Sequence, residues 1–271
     1  MYEAVFIDID GTLRNNKKEL TNKTIEVIKE VTKNGYLVIL CSGRPRKYTE
    51  DVSKKCFASK YIITSNGGNI YDYENNKVLY TNKMNEEACI QLYNIAKEAK
   101  TRFMMNVGEN RIVNQLKYFD GSEVLLKEDI NTFVKNNDVV QCVIADSDYD
   151  KIKSLKPYIE KIKNVEIKNQ HKSLINESFP KEGTIYYDIA NIGSSKGNAI
   201  KEFCKILNID LKNTIAIGDD YNDVSMFKIA GYSVVMQNAN NEVKKYADYI
   251  TLSNEENGVA VFLEKLLKNE I

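Results

Sequence analysis

Histidine is nearly missing from this chain: His171 stands alone among 271 residues. A mechanism built on a histidine base, or on a pair of histidine metal ligands, therefore has little to stand on. Long apolar runs are missing too, since no stretch approaches the roughly 20 residues that span a bilayer. The segment from Met1 to Asp10 lacks the basic n-region and small-residue cleavage site of a secretory signal. The expectation is a cytoplasmic protein with no membrane partner. Cysteine is sparse: Cys41, Cys56, Cys89, Cys142 and Cys204 are scattered and form no CxxC pair. That spacing excludes a disulfide framework and a thiolate zinc site. Cys41 falls beside a candidate motif, but small buried filler is its expected role. An excess of one charge is absent as well, because 38 basic and 38 acidic residues cancel. No electrostatic footprint for nucleic acid results, and the lysines, spread through helical segments, read as solvated faces.

What remains is an ordinary globular composition, 43% hydrophobic and 28% charged, in a chain long enough for two cores. Short continuous apolar runs fit buried parallel strands at Ala4–Ile7, Tyr36–Leu40, Tyr61–Ile63 and Thr214–Ile217. Thr21 caps a predicted helix carrying Ile25, Ile28 and Val31, which Gly35 ends. Ile70–Tyr71 and Val78–Tyr80 flank Asn75-Asn76 as a predicted hairpin. The middle has a different texture: a helix over Glu86–Ala99, a strand over Val139–Ile144, a helical pattern over Lys151–Ile162 and a strand over Thr184–Ile189. Pro157 is expected to break or restart the second of those helices. These pieces resemble a sheet with two helices on one face. After Gly193 the buried strand–helix alternation returns, with Ser194 or Ser195 as cap of a helix carrying Ala199, Ile200, Phe203 and Leu207. The expected architecture is α/β: a doubly wound parallel-sheet core from residues 1–82 and 191–271, interrupted by an inserted α+β domain at 83–190.

The residues that carry chemistry gather after three strands. Asp8-Ile9-Asp10-Gly11-Thr12 follows the first. Alternation along a strand sends Asp8 and Asp10 to one side, and two carboxylates at a strand tip are costly without a cation or a proton. Ser42-Gly43-Arg44 follows the second strand; a hydroxyl with backbone N–H groups at a strand end makes a phosphate cradle. Arg44 either reaches a phosphate or leaving group or pairs with a neighbouring acid. Lys196 begins a capped helix, where a cation opposes the helix dipole unless an anion offsets it. Gly218-Asp219-Asp220-Tyr221-Asn222-Asp223 follows the Thr214 strand. Three carboxylates in five residues, with no histidine or cysteine among them, suit a hard cation such as Mg²⁺, with Asp219 as direct ligand. Asp223 is expected to bond Lys196 or a metal-bound water. Asn222 donates to substrate or phosphate, or caps the following helix.

With these four segments in place, the chain resembles a haloacid-dehalogenase-superfamily phosphatase of the Cof type (subfamily IIB). Asp8–Thr12 matches motif one, Ser42–Arg44 motif two, Lys196-Gly197 motif three, and Gly218-Asp219 through Asn222-Asp223 motif four. Asn66-Gly67-Gly68 is similar to the Asn-Gly turn that precedes the cap in this subgroup. The resemblance implies a Rossmann-like core with a C2-type cap. It also implies that Asp8 attacks phosphorus and forms an aspartyl-phosphate, while Asp10 protonates the leaving alcohol and then activates water. Mg²⁺ is implied on Asp8, Asp219 and the backbone carbonyl of Asp10, with Ser42 and Lys196 holding phosphoryl oxygens. The Asp10 carboxyl is accordingly expected to be raised in the substrate complex. The partner class is a small phosphorylated metabolite, and the assembly state expected is a monomer or weak homodimer. The same motifs also serve a phosphosugar mutase or phosphotransferase, and a phospho-accepting signalling module is the non-enzyme alternative. Arg102, Met104 and His171 are candidate specificity residues of the cap.

Overall fold

The computed structural model describes residues 2–117, 123–172 and 185–271. These fall into two compact units, one of Met1–Tyr80 with Ser195–Ile271 and one of Thr81–Ser194.

In the first unit the chain runs β1 (Ala4–Asp8), α1 (Asn22–Lys33), β2 (Leu37–Cys41), α2 (Arg46–Lys55), β3 (Tyr61–Thr64), β4 (Asn69–Asp72) and β5 (Lys77–Thr81). The Thr21 side chain accepts from the Thr24 N–H and so starts α1. Its buried face is Thr24, Val27, Ile28 and Val31.

The second unit contributes α3 (Glu86–Glu98), β6 (Arg102–Val107), β7 (Asn110–Val113), β8 (Glu123–Leu125), α4 (Ile130–Asn136), β9 (Val139–Asp146), α5 (Tyr149–Ile159), β10 (Val165–Lys172) and β11 (Ile185–Asn191). Its sheet has the order β10-β11-β9-β6-β7-β8. Among the described residues, three helices rather than two pack on one face of it. Leu92 of α3, Phe133 of α4 and Ile152 of α5 share a core with Phe103, Cys142 and Ile189 of the strands. On the other face Met104, Val113, Val143 and Ala145 form a small separate cluster. Pro157 does not break α5, which runs unbroken from Tyr149 to Ile159. The proline lies in the last turn, two residues from the end, so only one backbone hydrogen bond is forfeited before the helix would stop anyway.

The chain then returns to the first unit through α6 (Lys196–Leu207), β12 (Thr214–Gly218), α7 (Val224–Phe227), β13 (Tyr232–Met236), α8 (Asn241–Lys244), β14 (Tyr249–Thr251) and α9 (Gly258–Leu267). The strands form one sheet in the order β14-β13-β12-β1-β2-β3-β4-β5. From β14 to β3 every pairing is parallel, and β4 returns antiparallel. Alternation along β1 explains why these strands read as unbroken apolar runs. Val5 and Ile7 join a core with α1 and α9, while Ala4 and Phe6 join another with α6 and α7. Phe6 meets Phe203 of α6 edge to face at 5.6 Å. Each such buried ring is worth about 1.5–3 kcal/mol.

Strand order reverses at β1. The chain proceeds to β2 and β3 on one side and, much later, from β12 to β13 on the other. Doubly wound sheets bind ligands beyond the strand ends at such a switch point. Asp8, Ser42 and Asp219 end or follow β1, β2 and β12, which are in-register neighbours.

Candidate active site

Asp8 is the last residue of β1, opposite Cys41 of β2, and is only 6% exposed. Gly11 closes the turn that follows, at φ +90°. A Cβ there would lie 2.3 Å from Asp219 Oδ2. Glycine is thus required twice, for its backbone angle and for the approach of that carboxylate. The Thr12 hydroxyl donates to Asp219 Oδ1 at 2.6 Å and fixes it over the turn.

Lys196 enters from α6. Ser195 caps that helix, its hydroxyl accepting from the Asn198 N–H. Lys196 is the first helical residue and is 0% exposed. A buried ammonium at a helix N-terminus is doubly unfavourable, by desolvation and by the dipole. Two carboxylates offset it: Nζ donates to Asp8 Oδ1 and, at 2.6 Å, to Asp223 Oδ1. Asp223 is itself fully buried. Its second oxygen accepts from the backbone N–H groups of Asp219 (2.9 Å) and Asp220 (3.1 Å). Both Asp223 oxygens are therefore engaged in holding Lys196 and the Asp219 loop. Asn222 does not cap the following helix. Asp220 and Asp223 form a reciprocal capping box over the turn at Tyr221–Asp223, and the Asn222 amide donates to Asn66 Oδ1 at 3.1 Å.

Carboxylate oxygens of Asp8, Asp219 and Asp223 lie within 4.8 Å of one another. Three carboxyls face one ammonium, so full ionisation would leave two negative charges without a counter-charge in a largely buried site. Burial and mutual repulsion set the protonation of these groups. Burial pushes the Asp8 carboxyl well above its ordinary range, and Asp223 and Asp219 add to this against the pull of Lys196. Burial and then Asp223 push Asp219 up to about 7. Burial disfavours the Lys196 ammonium, but Asp223 and Asp8 outweigh it and hold the group charged. A divalent cation would cancel the imbalance, and an oxygen-only donor set is what Mg²⁺ accepts. The residues present fit such an ion.

The Asp10 carboxylate stands apart from this cluster. Its Oδ2 accepts from Arg44 Nε at 2.8 Å and its Oδ1 from the Tyr48 hydroxyl at 3.2 Å. Arg14 in turn donates to Tyr48 Oη. Burial raises the Asp10 carboxyl, but Arg44, Arg14 and the Tyr48 hydroxyl outweigh it and hold the group below its ordinary value. Arg44 thus pairs with a neighbouring acid, the second of its two expected roles. Ser42 is buried; its hydroxyl accepts from the Arg44 N–H at 3.1 Å, and its carbonyl accepts from the Asn66 N–H. A Cβ on Gly43 would sit 3.0 Å from the Asn66 amide, which keeps that loop close to Ser42. Cys41 is fully buried among Ala4, Phe6 and Ile39, and burial pushes its thiol far up, as filler requires.

Thr12, Arg14, Tyr48 and Asn66 carry roles that the sequence pattern does not assign. Thr12 and Asn66 lie inside recognised motifs. Asn66 adopts the left-handed region (φ 53°), which asparagine tolerates better than most residues, so Asn-Gly-Gly is the signal of its unusual turn. Nothing in the local pattern of α2 marks Tyr48. In the second unit, Arg102 forms an ion pair with Glu123, and Met104 is buried on the sheet face opposite α3, α4 and α5. The His171 side chain lies outside the described residues.

Comparison with known proteins gives the family. The chain is 29% identical to the 5-amino-6-(5-phospho-D-ribitylamino)uracil phosphatase YwtE of Bacillus subtilis, covering 99% of each chain. It is 26% identical to the putative phosphatase YxeH of the same organism, over 98% of this chain and 99% of the relative. The crystal structure of a haloacid dehalogenase-like hydrolase from Bacteroides thetaiotaomicron superposes with a TM-score of 0.83 at 26% identity, over 98% of this chain and 100% of that one. Among the described residues, no helix is long and apolar enough to cross a membrane. The model of the haloacid dehalogenase-like hydrolase family matches residues 5–263, so the chain belongs to that family of enzymes, among relatives named as phosphatases.

Proposed function

We propose that this hydrolase is a magnesium-dependent phosphatase that cleaves small phosphomonoesters through an aspartyl-phosphate on Asp8. The observation that carries the proposal is the convergence of three carboxyls, those of Asp8, Asp219 and Asp223, around one buried lysine. Mg²⁺, held by Asp8 and Asp219, supplies charge neutralisation for the carboxylate and the incoming phosphate dianion.

The chain's own residues do the rest. Asp8 Oδ attacks phosphorus, and the P–O bond to the alcohol breaks as Asp10 passes a proton to the leaving oxygen. Water then gives a proton to Asp10 and attacks the acyl-phosphate, which releases phosphate and restores Asp8. Lys196 and the Ser42 hydroxyl hold phosphoryl oxygens. Asp223 takes no part in bonding substrate, because both of its oxygens are engaged within the protein. Asp10 must be protonated to act as the first acid, whereas Arg44 keeps it ionised in the free site. An arriving phosphate dianion competes for Arg44. Loss of that ion pair leaves burial dominant and raises the carboxyl towards the acid form. The relative that acts on a phosphorylated ribitylaminouracil supports a small phosphorylated metabolite as substrate.

Phosphate release from a panel of phosphomonoesters, p-nitrophenyl phosphate among them, tests the reading. Turnover is expected with Mg²⁺, none in EDTA, and full recovery when Mg²⁺ is restored. Undiminished activity in EDTA removes the metal role, and no turnover of any ester removes the phosphatase. Metal binding should also depend on pH. The folded pKa of Asp219 is raised, to about 7, so the unfolded chain binds fewer protons and metal-free stability falls as pH climbs from about 4 to about 7. Mg²⁺ must displace that proton. Its stabilising effect, read as the rise in Tm over an EDTA control, is expected to grow from about pH 5 to about pH 7 and then level off.

A further inference from the structure

The Asp10 carboxylate is held by a directional relay outside the four motifs. Arg14 is tied to the turn by its backbone N–H, which donates to the Ile9 carbonyl at 3.0 Å. Its guanidinium donates to Tyr48 Oη. A guanidinium has no acceptor, so the phenol oxygen must accept here, and its single proton is left for its other neighbour. That neighbour is Asp10 Oδ1, at 3.2 Å. The Tyr48 ring is itself fixed: it stands on the first turn of α2, with the Arg14 and Arg44 guanidinium carbons 5.7 and 5.4 Å from its centroid. The relay therefore specifies which way the hydroxyl points and, through it, the plane of the Asp10 carboxyl.

Arg44 and Tyr48 hold the two oxygens of Asp10 by different chemistry. Arg44, bonded to Oδ2, is a cation and opposes protonation of the oxygen it contacts. A neutral phenol donates more strongly to an ionised carboxylate, but it can also donate to the carbonyl oxygen of a carboxylic acid. Tyr48 can thus keep its bond through a full catalytic cycle, whereas Arg44 cannot. Proton exchange is then confined to Oδ2, and Oδ1 serves as the pivot.

Resting on the phosphatase reading above, we propose that Tyr48, oriented by Arg14, is the positioning residue for the acid–base carboxylate Asp10, fixing Oδ2 as the oxygen that delivers the proton to the leaving group.

Leaving-group dependence tests this on the full chain with Mg²⁺, using phenyl phosphate and p-nitrophenyl phosphate as probes. Phenolate is a poor leaving group, with a conjugate-acid pKa near that of tyrosine, about 10, and needs a proton as the P–O bond breaks. p-Nitrophenolate leaves without one. Positioned general acids contribute about 10²–10⁴-fold. Tyr48→Phe, which removes only the hydroxyl, is expected to lower kcat/KM for phenyl phosphate roughly tenfold. For p-nitrophenyl phosphate the change should stay within about threefold. Arg14→Met should show the same selective loss, smaller in size, and add nothing to it in the Tyr48→Phe background. A merely structural role would lower both esters together. Equal losses on the two esters, or no loss on either, overturn the assignment while leaving the phosphatase intact. If wild-type protein hydrolyses neither these two esters nor any other of the panel, the phosphatase reading fails and this inference with it.

Discussion

Lys196→Met is expected to unfold the first unit at a markedly lower temperature and to lose most turnover. Methionine nearly matches the length of the lysine stem and can occupy its fully buried channel, so the effect isolates the ammonium. Without it, Asp8 and Asp223 lose their shared donor. Asp219, Asp8 and Asp223 then stand together with no internal counter-charge. Removing one partner of a buried ion pair typically costs about 3–5 kcal/mol, because the remaining charge stays desolvated. In a domain of this size that corresponds to a fall in Tm of roughly 6–20 °C. The loss should be partly reversed by acid. The carboxyls of Asp8 and Asp219 are already raised, and a raised folded pKa gives stability present at low pH and lost as pH rises through it. Without Lys196 both shift further upward, so the deficit relative to wild type should shrink below about pH 6 and widen above it. Mg²⁺ should rescue part of the stability at neutral pH. Turnover should fall by roughly 10²–10³-fold or more, since the proposed mechanism loses its fixed donor to the phosphoryl group. Thermal melts at several pH values, with and without Mg²⁺, check the first part, and steady-state kinetics on p-nitrophenyl phosphate the second. A variant that melts with wild type at neutral pH would contradict the charge imbalance on which the site is built.

That imbalance is legible in the sequence, because its parts sit where the fold leaves little choice. Ala4–Asp8 and Thr214–Gly218 are buried on both faces, so they appear as continuous apolar runs, and a run of that kind followed by acids marks a strand tip. The antiparallel strands of the second unit are harder to read. Arg102–Val107 buries Phe103 and Met105 on one face and places Arg102 and Asn106 on the other, so no unbroken run announces it. Val165–Lys172 is more polar still, and α4 has only seven residues. The expectation at Pro157 fails because a rule for helix interiors does not hold in a last turn. The Arg14–Tyr48–Asp10 relay leaves no trace in sequence, because it joins a turn, a helix and a strand tip that meet only in the folded chain. Motif spacing can place Asp10 near the chemistry, but cannot say which oxygen faces which partner.

Asp8→Asn is expected to separate stability from activity at a single atom. Turnover should fall by at least about 10⁴-fold, because an amide cannot form the acyl-phosphate of the proposed mechanism. Folding should not suffer. Burial, Asp223 and Asp219 all oppose ionisation of Asp8, so the isosteric amide, which carries no charge, removes a penalty. Its carbonyl oxygen can still accept from Lys196, which keeps its second partner at Asp223. In EDTA the variant should therefore melt at or above the wild-type temperature, the pattern expected where a site sacrifices stability for function. Mg²⁺ should reverse the order. Fully ionised, the wild-type site offers the ion two net negative charges and the variant one, so the metal-induced rise in Tm should be smaller in the variant, and wild type should melt higher at saturating Mg²⁺. The crossing of the two curves discriminates better than loss of activity alone. Any disruption of the site can abolish turnover, but only removal of a strained, metal-directed charge raises stability without metal while lowering the response to it. A variant less stable than wild type in EDTA would mean that the Lys196–Asp8 bond outweighs the desolvation and repulsion around it.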